Sequence, residues 1–233
     1  MKIVSFKICP FVQRVTALLE AKNIDYKLEF ISLRDKPQWF LDISPNGQVP
    51  VLITDKGKAL FESDAIVEYI EEAFPALQPE LSLEDKATNR AWSYLASKNY
   101  LVQCSAQRSP NENVLMERSQ KLGHAFDKIE KQLGDTPFFA GETISLVDLA
   151  WLTILHRADI IQRRSGYDFI GNRPKLKKWQ KQLLATGLAE KSVAPDFEEA
   201  FSGFYLSDQT FLGRGCTVEN CSFSEACATD ACC

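Results

Sequence analysis

The opening segment of the chain constrains the fold more than any other. Residues 2–7 (KIVSFK) are predicted to form a short buried strand, and Cys9 and Pro10 follow at the start of a predicted helix. The apolar residues of this helix recur at helical spacing, as Phe11, Val15, Leu18 and Leu19. The chain therefore begins with a strand, a cysteine at the strand-to-helix turn, and an amphipathic helix.

The following segments predict the remainder of a small α/β domain. The alternating residues 26–31 predict a second strand, and Trp39-Phe40 marks a short second helix. Residues 51–53 and 58–61 predict a hairpin, and Ser63 is expected to cap a third helix with apolar residues at helical spacing. The predicted order of elements is βαβαββα.

A change of pattern divides the chain into two domains. The segment PALQPEL carries two prolines and breaks the helical pattern, which predicts a linker over 76–81 after a first domain over 1–75. Everything from 82 to 205 reads as helical, and 206–233 reads as a flexible, cysteine-rich tail. Helix-start signals in the second domain predict helices from Ser82 with Asp85, from Ser109-Pro110, from Ser145 with Asp148, over Pro174–Ala185 and over Ala189–Phe201. The Ser145 to Asp148 capping box is assigned to folding rather than to catalysis.

Composition and charge exclude several classes of function. A formal net charge of −4, with Lys and Arg scattered along the chain, provides no basic stripe for a nucleic acid. No apolar run approaches the length of a membrane span, and the N-terminus does not have the pattern of a signal peptide. We therefore expect a cytoplasmic protein that binds neither nucleic acid nor membrane.

The seven cysteines are unevenly distributed, and their odd number argues against a closed disulfide framework. Cys104 is most simply a buried packing residue, whereas five cysteines crowd residues 216–233 at spacings that miss structural zinc motifs. The tail has four open interpretations: soft-metal binding by thiolates, a redox relay to Cys9, a segment for modification or partner recognition, or an extension without function.

Cys9 is the candidate reactive group. Its predicted place at a helix start directs unsatisfied amides and the positive end of the helix dipole at its sulfur. Thiols in such places ionise easily, and the thiolate is the form that attacks disulfides and electrophiles. The alternative interpretation is a small buried apolar residue, as free cysteine often is.

The loop SPNGQVPVL suggests what Cys9 reacts with. If the Val49-Pro50 bond is cis, the backbone of Val49 is left open to pair with an extended peptide; the alternative is an ordinary tight turn. Glu62 and Ser63 open a helix where a ligand's α-ammonium and carboxylate can bind, as in the γ-glutamyl end of glutathione. Lys36, on the predicted second helix, can meet the opposite glycyl carboxylate.

Four motifs in order resemble the glutathione transferase superfamily, and most closely its omega class: CPFVQRV (9–15), KPQWF (36–40), NGQVPVL (46–52) and ESDAI (62–66). Plant dehydroascorbate reductases are similar at the CPF motif. The resemblance covers residues 1–75 closely and the helical part to about residue 200 in pattern only. It implies the glutathione transferase fold, an α/β thioredoxin-like domain followed by an all-α domain, in a homodimer.

The resemblance also implies roles for individual residues. Cys9 would be the nucleophile that forms a mixed disulfide with glutathione, and Val12 stands where glutaredoxins have a resolving cysteine, so the mechanism would use one thiol. Glutathione would be the co-substrate, with no metal or nucleotide. The implied glutathione-binding residues are Cys9, Phe11, Leu33, Lys36, Val49, Pro50, Glu62 and Ser63.

The implied activity is that of a glutathione-dependent thiol transferase or dehydroascorbate reductase with weak conjugating activity. Two alternatives stay open: a non-catalytic glutathione-transferase-like binding or regulatory protein, and a carrier for a thiolate metal-binding tail. A small electrophilic or disulfide substrate would lie between the domains, where Tyr94, Asn99, Tyr100 and Trp151 are candidates, although core packing is the favoured interpretation. His124 and His156 share no metal-ligand spacing and are expected to be structural.

Overall fold

The computed structural model describes residues 1–215, so the five cysteines of the C-terminal segment lie outside the described residues. The first part of the chain forms a four-stranded sheet and three helices. Its elements are β1 (Lys2–Ser5), α1 (Pro10–Ala21), β2 (Lys27–Phe30), α2 (Gln38–Ile43), β3 (Val51–Ile53), β4 (Ala59–Phe61) and α3 (Ser63–Ala73). The predicted order βαβαββα is confirmed.

The sheet has the strand order β2-β1-β3-β4, with β1 and β2 parallel and the other pairs antiparallel. The register places Ser5 beside Phe30, Val4 beside Val51, and Val51 beside Phe61. The last residues of β1, β2 and β4 and the first residue of β3 therefore meet at one edge of the sheet.

From α4 onward, the described part of the chain is helical, as predicted. Its elements are α4 (Leu83–Gln107), α5 (Glu112–Gln132), α6 (Leu146–Ser165), α7 (Pro174–Leu184), α8 (Leu188–Lys191) and α9 (Phe197–Tyr205). The central helix α6 is buried on nearly every side and packs against α4, α7 and the first helix α1. Helix α1 thus contacts both the sheet domain and the helical domain.

The predicted helix starts are confirmed at Pro10, Ser82 and Ser145. The Ser82 hydroxyl accepts the Asp85 amide N–H at 3.1 Å, and Ser145 with Asp148 forms a complete capping box. These caps form because Ser and Asp satisfy amides that a helix start leaves without partners.

Two predicted boundaries in the helical domain were wrong. Helix α5 is capped by Asn111 and does not start at Ser109. The Ser109 carbonyl accepts a hydrogen bond from the Phe211 amide at 2.8 Å, so it is not used for the first turn of a helix. The single helix predicted over Ala189–Phe201 is two helices, α8 and α9. Pro195 lies in the break, and proline disfavours helical backbone at the residue before it.

The predicted tail, 206–233, falls only partly within the described residues. In the described part, Thr210, Phe211 and Leu212 are buried, and the Thr210 hydroxyl donates to the Tyr205 carbonyl at 2.9 Å. The packed part of the chain therefore extends beyond α9.

Candidate functional site

The edge of the sheet described above gathers most of the candidate residues. The turn after β1 leads to Cys9, Val49 and Pro50 directly precede β3, and Glu62 and Ser63 directly follow β4. The segment after β2 carries Leu33 and Lys36. Residues that are far apart in sequence thus come from four segments at one edge.

Cys9 is the N-cap residue of α1, and no side chain caps this helix start. The Cys9 amide donates to the Phe6 carbonyl at 3.0 Å, and its Sγ lies 4.0 Å from the carbonyl oxygen of Val49. The residue is only 2% exposed. The sulfur therefore lies at the amide-rich end of a helix, beside the loop that precedes β3, and is largely enclosed.

The loop before β3 has the backbone conformation that the sequence made possible. The Val49-Pro50 peptide bond is cis. Within residues 1–215, the hydrogen bonds of the structure leave the amide N–H of Val49 without a partner. An unpaired backbone amide next to a strand end can pair with an extended peptide.

The start of α3 differs from the prediction in one detail. Glu62, rather than Ser63, is the N-cap, and Ser63 is the first residue of the helix. Glu62 has a φ of 65°, a backbone conformation that L-residues rarely adopt, and its side chain forms no capping hydrogen bond. The carboxylate instead accepts a hydrogen bond from Asn46 Nδ2 at 2.8 Å. The first amides of α3 are thus left without a side-chain cap.

Lys36 precedes α2 instead of lying on it, which corrects the prediction. Pro37 is the N-cap of α2. A proline disfavours helical backbone at the residue before it, so Lys36 lies outside the helix. A Cβ atom built on Gly47 would lie 3.7 Å from Lys36 Nζ, so the ammonium group lies beside the loop that leads to Val49. Leu33 is partly buried in the same segment.

Phe11 and the four candidates for contact with the second substrate pack in different ways. Phe11 is partly buried and meets Tyr100 edge-on, with ring centroids 5.2 Å apart. Tyr100 and Trp151 are fully buried, and each donates a hydrogen bond to a backbone carbonyl, so both are core residues. Tyr94 and Asn99 are partly exposed, and Asn99 Nδ2 donates to the Leu95 carbonyl at 2.7 Å.

The sequence interpretation missed a buried polar cluster next to Cys9. Gln13 Nε2 lies 2.9 Å from Nδ1 of His156, and Gln13 Oε1 accepts a hydrogen bond from Arg157. Arg157 Nη2 also donates to the carbonyl of Ile8 at 3.3 Å. Gln13 lies inside the CPFVQRV motif, and a polar residue on the buried face of a predicted helix was the available signal.

Burial changes the titration of this cluster. The low-polarity surroundings and, to a smaller extent, the nearby Arg157 cation together lower the pKa of His156 to about 3. Burial also lowers the pKa of Arg157 from its ordinary value. His156 is therefore neutral and structural, as predicted. Across residues 1–215, no group of three or more His, Cys, Asp and Glu side chains could hold a metal ion.

The fold and the site define a class of protein: a thioredoxin-like domain, with a cysteine at the first helix start and a cis-proline loop beside it, joined to an all-helical domain. Comparison with known sequences agrees. Residues 8–73 match the family described as Glutathione S-transferase, N-terminal domain, and residues 116–180 match Glutathione S-transferase, C-terminal domain.

Individual relatives have similarity over most of the chain. Glutathione S-transferase omega-1 of Sus scrofa is 30% identical over 213 residues, which cover 89% of this chain and 87% of that protein. Glutathione S-transferase DHAR2 of Arabidopsis thaliana is 38% identical over 154 residues, covering 65% of this chain and 68% of the relative. The crystal structure of glutathione transferase Omega 3C from Trametes versicolor superposes with a TM-score of 0.70 at 26% identity, covering 83% of this chain and 88% of that one.

The chain therefore belongs to the glutathione S-transferase family and is an omega-like member of it. None of the helices described in residues 1–215 is both long and apolar enough to cross a membrane.

Proposed function

We propose that this protein is a glutathione-dependent thiol transferase or dehydroascorbate reductase whose nucleophile is Cys9. The observation that carries the proposal is the position of the Cys9 sulfur. It lies at the uncapped start of α1 and 4.0 Å from the carbonyl of Val49, whose own amide N–H is open for pairing. Helix amides favour the thiolate, and an extended peptide beside Val49 brings its own sulfur to the same place.

Glutathione would bind along the sheet edge in one orientation. Its cysteinyl backbone pairs with Val49 beside Pro50, and its γ-glutamyl carboxylate binds the first amides of α3 and Ser63. Glu62 receives the α-ammonium group, and Lys36 attracts the glycyl carboxylate at the other end. Phe11 and Leu33 provide apolar contacts. No metal or nucleotide takes part in this scheme.

The reaction is a thiol–disulfide exchange in two steps. The Cys9 thiolate attacks the glutathione sulfur of a glutathionylated substrate, the substrate thiolate leaves, and a Cys9–glutathione disulfide forms. The thiolate of a second glutathione attacks this disulfide, which releases oxidised glutathione and restores the Cys9 thiolate. Val12 occupies the position where a resolving cysteine would stand, so this motif has no second thiol and the scheme takes the second thiol from glutathione. Reduction of dehydroascorbate takes two electrons and two protons, which two glutathione thiols supply as they form a disulfide.

Three further properties belong to this proposal. We infer a homodimer, for which the exposed side chains of Phe61, Tyr69 and Leu101 provide apolar surface. We infer a cytoplasmic location, where glutathione keeps thiols reduced. We also infer that residues 1–75 and 82–205 are separate domains joined by the 76–81 linker. Analytical ultracentrifugation, subcellular fractionation and limited proteolysis test these three inferences.

The main test is mass spectrometry of the protein after exposure to oxidised glutathione. We expect a glutathione adduct on the Cys9 peptide, and loss of both that adduct and thiol transferase activity in Cys9→Ser. Cys104→Ser is the matched control, because Cys104 is equally buried but lies near the C-terminal end of α4 rather than at a helix start. Full activity in Cys9→Ser, or an adduct found only on other cysteines, would show that the nucleophile is misassigned.

One observation favours a second candidate function. Cys9 is only 2% exposed, which suits a protein that binds glutathione without turnover. Glutathione binding measured by calorimetry, with neither an adduct on Cys9 nor substrate reduction, would favour this binding protein over the enzyme.

A further inference from the structure

Arg157 is a buried cation whose hydrogen bonds go to a side-chain amide oxygen and to backbone carbonyls rather than to a carboxylate. It is fully buried in α6, its guanidinium lies 5.2 Å from the centroid of the Phe197 ring, and its Nε forms no hydrogen bond within residues 1–215. The acidic groups with the largest effect on its charge are thiols and phenols rather than carboxylates. A buried charge is costly unless something of opposite sign compensates it, so the surroundings of Arg157 need an explanation.

The hydrogen bonds of Arg157 hold the chain on both sides of Cys9. Its Nη2 donates to the carbonyl of Ile8 at 3.3 Å, one residue before Cys9. Its Nη1 donates to Gln13 Oε1, and the backbone amide of Gln13 donates to the Cys9 carbonyl at 3.2 Å. A cation on α6 therefore fixes the first turn of α1 where the cysteine sits.

The acidic groups that most stabilise the charge of Arg157 are two thiols and two phenols: Cys104, Tyr205, Cys9 and Tyr100. Burial raises the pKa of Tyr100 to about 12, so this phenol stays protonated at neutral pH. Cys104 lies near the C-terminal end of α4, where the helix dipole disfavours an anion. Of the four residues, only Cys9 lies at a helix start, where free amides favour an anion; Tyr205 is the last residue of α9.

The other charged groups near this site are already neutral or paired. His156 is uncharged, with its Nδ1 facing Gln13 Nε2. Lys7, which lines the same small cavity as Cys9, forms an ion pair with Asp196 at 2.5 Å. Neither group competes with Arg157 as the compensating charge for a thiolate.

We propose that Arg157 is the buried counter-charge of the Cys9 thiolate, a positioning residue that holds the start of α1 and keeps the sulfur ionised. This inference deepens the proposed function and depends on Cys9 being its nucleophile. Arg157 does not need to touch glutathione or the second substrate.

The test is the pH profile of Cys9 alkylation by iodoacetamide without glutathione, followed on the Cys9 peptide by mass spectrometry. In Arg157→Met we expect the midpoint to move up by about one pH unit or more, so that alkylation at pH 6 slows about tenfold. The rate at high pH should not change. Arg157→Lys keeps the charge and should restore most of the shift.

Arg14→Met is the matched control. Arg14 is also a buried arginine and lies on α1, but its guanidinium pairs with the carboxylate of Asp64. Its loss should lower stability without moving the alkylation midpoint. An unchanged midpoint in Arg157→Met, or equal shifts in both variants, would overturn the proposal.

A second measurement covers the case in which Arg157→Met does not fold. In the wild-type protein, the NMR signals of the Arg157 guanidinium should follow the titration of Cys9, and that step should vanish in Cys9→Ser. Absence of the step in the wild type overturns the proposal. The proposed function is judged separately by the glutathione adduct: an adduct on Cys9 with no effect of Arg157→Met refutes only the role of Arg157.

Discussion

Gln13 Nε2 lies 2.9 Å from His156 Nδ1 and thereby joins the first helix to the helical domain. Because Gln13 Oε1 accepts from Arg157, which can only donate, the amide NH₂ group must face His156. The histidine ring nitrogen on that side must therefore be an unprotonated acceptor. This contact, made by residues 143 positions apart, requires His156 to be neutral.

Acid should destabilise the fold through His156. Its pKa in the folded protein is about 3, against about 6.5 when unfolded, so the unfolded chain binds one more proton between these values. The stability contributed by neutral His156 is present above pH 6.5 and is lost as the pH falls towards 3, by up to about 1.4 kcal/mol per pH unit. Urea unfolding across this range should be less acid-sensitive in His156→Phe, which keeps a ring against Phe197. His124→Gln, at an exposed position, should behave like the wild type.

The two Ser-Asp caps should differ in their importance. Asp148 is buried and accepts hydrogen bonds from the Ser145 amide and hydroxyl, the Phe139 amide and Trp179 Nε1, at 2.6–2.9 Å. Asp148→Ala leaves buried donors without acceptors and should lower the free energy of unfolding by about 3 kcal/mol or more. Asp85→Ala, at the exposed cap of α4, should cost less than about 1 kcal/mol. Equal losses in urea denaturation would contradict this account.

Gly213 should be required for packing of the segment after α9. A Cβ at this position would lie 2.0 Å from the carbonyl oxygen of Ser207, a backbone atom that cannot move away cheaply. Gly213→Ala should release the segment and accelerate hydrogen exchange of the Phe211 amide, which donates to the Ser109 carbonyl. Gly203→Ala is the control, because a Cβ on this exposed residue of α9 meets nothing within 4 Å. That variant should be neutral or stabilising by up to about 1 kcal/mol.

Glu62 should lower the stability of the fold while it contributes to glutathione binding. Its φ of 65° destabilises the folded protein by about 1–3 kcal/mol, and Glu62→Gly removes this strain. Glycine also gives the unfolded chain more conformational entropy, which lowers the free energy of unfolding by about 0.4–1 kcal/mol. We therefore expect a gain of about 1 kcal/mol in stability together with weaker glutathione binding by calorimetry. Asn23→Gly, at a φ of 52° after α1 and away from the sheet edge, should leave the affinity unchanged. A Glu62→Gly variant with unaltered glutathione affinity would refute the role of Glu62 as the α-ammonium partner.

Local sequence patterns were sufficient for most of the fold. Apolar periodicity, prolines and caps located nearly every helix and strand, because these signals act within a few residues of each other. One boundary failed where a distant contact intervened. The Ser109 carbonyl is taken by Phe211, so α5 starts instead at Asn111.

The motifs also located the candidate site, because Cys9, Val49-Pro50 and Glu62-Ser63 each adjoin a strand or helix end that a pattern can identify. What the sequence could not indicate is how the helical domain acts on that site. Arg157 is one of several polar residues on the predicted helix, and nothing near it in sequence distinguishes it from the others.

The sequence by itself determined the order of elements and the cysteine at the first helix start, since both follow from short-range backbone preferences, and its motifs indicated the family by resemblance. Only the tertiary structure decided that Cys9 is enclosed, that Glu62 takes a strained conformation, and that Gln13, His156 and Arg157 meet behind the site. Burial and long-range contacts are properties of packed surfaces, and packing joins residues that no local pattern connects.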